Sequence, residues 1–155
     1  MDRMKAEIIN PFLESAKLVL HQLIQISPST GTLAVKSVKP VADHIWIQIG
    51  MTGQLSGNII FGLHEQVAMR IVSAMMGGFT ITEMDDMSRS AISELGNMIS
   101  GNAGILLSNQ GVTVDITPPS VVHGQDFTGI MPDKALTIPL LMDGIGELDI
   151  QVLIS

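Results

Sequence analysis

The stretch His44-Ile-Trp-Ile-Gln-Ile-Gly-Met51 constrains the fold more than any other in this chain. Ile45, Ile47 and Ile49 alternate with Trp46 and Gln48, the period of a strand whose two faces meet different surroundings. Thr52-Gly53 follows at once, and the run Gln54 to Leu63 reads as another strand. A connection that short makes the two strands antiparallel neighbours, because a parallel pair needs a crossover of a dozen residues or more.

The flanking segments extend this pattern. A first helix is expected over Pro11 to Ile24, with Phe12, Ala16, Val19, Leu20 and Leu23 on one stripe. Asn10 before Pro11 fits an N-cap with proline at the first helical position, and a start one turn earlier is the alternative. Ser27 to Gly31 is turn-like and Thr32 to Val38 alternates as a strand. Past the hairpin, a helix over His64 to Met76 stops at Gly77-Gly78. The acidic stretch Glu83 to Asp86 then opens a third helix with charge of the sign an N-terminus prefers. Three more strands are expected: Val112 to Val122, interrupted by Pro118-Pro119, then Ala135 to Leu141, then Glu147 to Ile154 after a turn at Gly144. The order α-βββ-αα-βββ makes one α+β domain over residues 1–155, a largely antiparallel sheet of about six strands flanked by helices.

Composition narrows the function. With 15 acidic against 8 basic residues the net charge is -7, so binding to a phosphate backbone gains nothing from counterion release. Nucleic acid is not an expected partner. No basic run marks an anionic membrane surface, and no apolar run reaches membrane-spanning length. The amino-terminal residues lack the apolar core of a signal peptide, so a cytoplasmic protein is expected. Without cysteine there is no thiol metal site or disulfide, and His21, His44, His64 and His123 are scattered without ligand spacing. No metal site is expected on this chain. The 11 methionines serve as core filling where aromatics are scarce.

The third helix carries the informative pattern. In Ser88-Arg-Ser-Ala-Ile-Ser-Glu-Leu-Gly-Asn-Met-Ile-Ser-Gly-Asn-Ala103, four poor interior helix formers stand in the middle: Gly96, Asn97, Gly101 and Asn102. With Ser90 at zero and about 100° per residue, Glu94 falls near 40°, Asn97 near 340° and Gly101 near 20°. Ile92, Leu95, Ile99 and Leu106 fall on the opposite side and form the stripe expected to bury. A hydroxyl, a carboxylate, an amide and a glycine thus share one narrow face. Glu-x-x-Asn spacing alone is unspecific, since Glu7-Ile-Ile-Asn10 repeats it.

Context makes the pattern specific. Ser90-x-x-x-Glu94-x-x-Asn97-x-x-x-Gly101 follows Val-Ser-Ala-Met-Met-Gly-Gly (72–78) and precedes Val-Asp-Ile-Thr-Pro-Pro-Ser-Val-Val-His-Gly (114–124). This combination, spread over nearly the whole chain, resembles the CheX-type chemotaxis phosphatases of the CheC/CheX/FliY family. The resemblance implies a phosphatase for the aspartyl phosphate of CheY-type response regulators. CheC-type relatives usually carry two such helices; here one is intact, which is nearer to CheX. On that resemblance Asn97 positions the attacking water and Glu94 grips the receiver's lysine, with Ser90 and Gly101 at the contact. Mg²⁺ is then expected on the receiver and no cofactor on this chain. The alternative is a non-catalytic module of the same scaffold that docks a response regulator or a flagellar switch component.

The last strand, Glu147 to Ile154, is rich in β-branched and apolar residues and holds neither Pro nor Lys. As an expected edge strand it is poorly protected against pairing with another chain, and the resemblance likewise implies a homodimer through sheet edges, with the seam strand left open.

Overall fold

Pro11 does not open the first helix; it lies inside it. The computed structural model describes residues 3–36, 42–124 and 135–154, and its first element, α1, spans Arg3–Ile24. Proline removes one backbone donor from the helix, but Ile8 and Ile9 upstream are buried together with Phe12, Ala16, Val19 and Leu20. Burial of those two isoleucines, roughly 1.5–3 kcal/mol each, outweighs one lost hydrogen bond. Asn10 is therefore an exposed mid-helix residue and not a cap.

The described residues form eight strands. Short β1 (Ser29–Thr30) and β2 (Ala34–Lys36) both pair antiparallel with one later strand, so Ser29 and Thr30, expected in a turn, belong to the sheet. Val38 lies outside the described residues. The hairpin is β3 (His44–Gly53) and β4 (Gly57–His64), paired from His44↔His64 to Met51↔Gly57. Helices α2 (Glu65–Met75) and α3 (Asp86–Asn109) follow. Gly77 and Gly78 stop α2 with φ of 73° and 96°, where Gly78 N–H donates to Ser73 O at 2.8 Å. The proline pair splits the next strand into β5 (Val114–Ile116) and β6 (Ser120–His123), which pair with opposite ends of β3. Thr117 bridges the break: its N–H donates to Gly50 O and its Oγ1 accepts from Gly50 N–H. Finally β7 (Ala135–Met142) and β8 (Gly146–Ile154) form a second hairpin.

One antiparallel sheet results, ordered β1-β7-β8-β4-β3-β5, with β2 beside β7 and β6 beside β3. The expected edge position of the last strand is wrong. β8 lies between β7 and β4 with both its edges occupied, and Leu148, Ile150 and Val152 sit in the core. Its apolar, β-branched make-up is what a central strand requires. Helices α1, α2 and α3 cover one face of the sheet and close over Ile45, Ile47, Ile49, Phe61 and Ile150. The opposite face holds a smaller cluster of Trp46, Ile60 and Ala135. Gly62 pairs with Trp46 across the strands, and any side chain there would collide with the indole at 2.5 Å.

Candidate functional site

Helix α3 is anchored along its length before it presents anything. Asp85 is its N-cap, with Oδ1 accepting from Ser88 N–H at 2.8 Å, and that bond holds the carboxyl below its ordinary pKa. Arg89 donates to Val121 O at 3.2 Å, tying the first turn to β6. Ile92, Leu95 and Ile99 are fully buried. The stripe then runs through Ala103 and Leu107, not Leu106, which is only half-buried. At about 100° per residue these five lie between roughly 140° and 260°, and Leu106, near 160°, lies toward one end of that sector.

The four residues that make a poor helix interior divide into two pairs. Gly96 is buried where the helix presses on the sheet; a Cβ there would stand 3.0 Å from Ile47 Cγ2 and 3.1 Å from Pro119 Cβ. Asn102 faces the neighbouring helix and donates from Nδ2 to Ser15 Oγ of α1 at 2.9 Å, satisfying a fully buried hydroxyl. Both serve packing. Asn97 and Gly101 are exposed, and around Gly101 a Cβ would meet nothing within 4 Å. Internal packing asks for neither.

Ser90, Glu94, Asn97 and Gly101 all lie on solvent, on the face opposite the core, as their spacing predicts. Among the described residues, no hydrogen bond or ion pair engages the Glu94 or Asn97 side chain. Two exposed apolar side chains, Met87 and Ile105, bracket this polar row. Beyond Asn97 the surface sinks into an open groove of about 560 Å³ between α3 and the 114–118 segment.

Chemically, the row is limited and specific. A carboxylate one turn from an amide can attract a cation while the amide, one acceptor and two donors, fixes a water. An amide cannot take a proton, so the row supplies orientation and charge without a base. No cluster of three or more His, Cys, Asp or Glu among the described residues could hold a metal ion.

Two features escaped sequence reading. The groove depends on how far β5 stands from α3, which no local pattern encodes. His44 and His64, scattered in sequence, face each other across β3 and β4 and share Asp43: His44 Nδ1 lies 3.1 Å from Oδ1 and His64 Nε2 lies 2.9 Å from Oδ2. His64 also caps α2 by accepting from Gln66 N–H at 3.0 Å. The hairpin register His44↔His64 was the signal that could have joined them.

Comparison with known proteins follows the same line. The family model described as Chemotaxis phosphatase CheX matches residues 45–144. The CheY-P phosphatase CheX of Thermotoga maritima is 37% identical over 124 residues, which are 80% of this chain and 80% of that protein. The crystal structure of a chemotaxis protein CheX from Desulfovibrio desulfuricans superposes with a TM-score of 0.81 at 28% identity, covering 96% of this chain and 99% of that one. A CheX–CheY–BeF3–Mg complex from Borrelia burgdorferi shares the fold, with a TM-score of 0.75 at 24% identity over 94% of this chain and 96% of that one.

Proposed function

This chain belongs to the chemotaxis phosphatase CheX family, and from that membership and the face of α3 we infer that it hydrolyses the aspartyl phosphate of a CheY-type response regulator. The observation that carries the reading is the Ser90/Glu94/Asn97/Gly101 row, exposed on a helix whose opposite face is buried in the core.

The reaction itself needs little. A phosphoaspartate is an acyl phosphate, so its leaving group is a carboxylate that departs without a general acid. The water oxygen forms the new bond to phosphorus as the bond to the aspartyl oxygen breaks, and the water's protons pass to the released phosphate. Such transfers depend on positioning and charge stabilisation. Asn97 accepts from the water and aims its lone pair in line. Glu94, one turn before it, pairs with the receiver's lysine and fixes how the two proteins dock. Ser90 lies at the edge of the contact, and the missing side chain of Gly101 admits the receiver's surface. The Mg²⁺ that neutralises the phosphoryl oxygens belongs to the receiver.

The protein acts in the cytoplasm as a homodimer. Since β8 is central, its seam lies at an outer edge of the sheet, where β2 exposes Val35. The phosphatase test is phosphate release from phosphorylated CheY-type receivers with and without the protein. Asn97→Ala should lower the stimulated rate by about 10²-fold or more, the cost of losing an oriented nucleophile, at unchanged thermal stability. Full activity in Asn97→Ala removes the water-positioning role.

A further inference from the structure

We propose that the groove between α3 and the 114–118 segment is a second docking point for the same receiver. It takes a surface element that carries an apolar side chain next to a lysine or arginine. The proposal rests on the phosphatase reading above and adds to it where, beyond the reacting atoms, affinity is set.

Three observations lead there. First, the groove is continuous with the catalytic face: Asn97 and Gly101 belong to both. A receiver seated on Asn97 therefore covers the mouth of the groove. Second, its walls are poorly explained by internal packing. Gly104 lines it one turn after Gly101, and a Cβ on Gly104 would meet only Ile116 Cδ1, at an ordinary 3.4 Å. Alanine would fit at either position and favour the helix by roughly 1 kcal/mol. Both glycines leave volume open that no described residue fills. Ile105 stands beside them at 60% exposure, an apolar side chain left to solvent at the lip.

Third, the charge has one sign. Asp115 is exposed in the groove, Glu94 stands one turn before Asn97, and among the described residues no basic one lines the groove. Asp115 in the cleft and Glu94 near its mouth, with Ile105 exposed at the lip, call for a partner element with a cation beside its hydrophobic side chain. Glu94 meets one cation at the reacting site, and Asp115 is placed to meet another.

Two variants test this without touching Ser90, Glu94, Asn97 or Gly101. Gly104→Leu projects into the groove from a helical position where a Cβ meets nothing closer than 3.4 Å, and Asp115→Lys reverses the charge at an exposed site. Phosphate-release kinetics with a CheY-type receiver give kcat and KM, and titration with the beryllofluoride-loaded receiver gives Kd. Each variant should raise KM and Kd about tenfold, the loss expected for one buried apolar anchor or one docking charge, with kcat unchanged. Unchanged KM and Kd in both, beside an active parent protein, overturn the groove and leave the phosphatase standing. A fall in kcat at constant Kd also overturns it, since the groove would then act on the chemistry. If the parent neither binds nor dephosphorylates any CheY-type receiver, the functional reading itself fails and the groove falls with it.

Discussion

Gly96 and Gly101 stand five residues apart in one helix, and replacing each by alanine should move stability in opposite directions. Both have helical backbone, so alanine brings each the same intrinsic gain of about 1 kcal/mol, partly by restricting the unfolded chain. At Gly101 nothing lies within 4 Å of the new methyl, so the gain is kept. At Gly96 the methyl would stand 3.0 Å from Ile47 Cγ2 and 3.1 Å from Pro119 Cβ. Neither neighbour can yield cheaply: Ile47 is fully buried in the core, and Pro119 is a rigid ring beside the start of β6. Overpacking of this kind costs typically 1–3 kcal/mol, which exceeds the intrinsic gain. Gly101→Ala should therefore be more stable by about 1 kcal/mol and Gly96→Ala less stable by about the same. Urea unfolding of both variants beside the parent measures the difference directly. Gly101→Ala should also bind the receiver more weakly, because its methyl occupies the approach to Asn97. Equal shifts of one sign would mean the helix does not press on the sheet at Gly96 as described.

Glu94→Gln should weaken receiver docking and flatten its salt dependence, because the ion pair proposed for Glu94 would be screened as the Debye length shrinks to about 10 Å at 0.1 M salt; a parent KM that ignores salt would leave Glu94 a bystander. Asp149 is half-buried on the face of the sheet away from the helices, and burial first, then the neighbouring Glu147 carboxyl, raises its pKa to about 7. The folded state holds a proton there that the unfolded chain releases, so this contribution is complete below about pH 4 and is lost as pH rises through 7. The urea midpoint of the parent should fall between pH 5 and 8 by more than that of Asp149→Asn, and equal falls would refute the assignment.

What could be read in the sequence follows from the range of the interactions that encode it. The hairpin, the α2 stop at Gly77-Gly78 and the polar row of α3 are written in neighbours within one or two turns, and the structure repeats them. The start of α1 was obscured because Pro11 is a strong local signal, while the burial of Ile8 and Ile9 that overrides it comes from elements far along the chain. The β8 error has a different origin. An apolar strand without Lys or Pro describes an unprotected edge and a central strand equally well, and only the sheet order distinguishes them. Two of the anomalies in α3 share that character. Local propensity marks Gly96 and Gly101 alike as misplaced, yet one is required by Ile47 and Pro119 and the other by nothing among the described residues. A residue that costs helix stability without serving the fold points outward, and Gly101 lies one turn from Asn97 on the face where a receiver would dock.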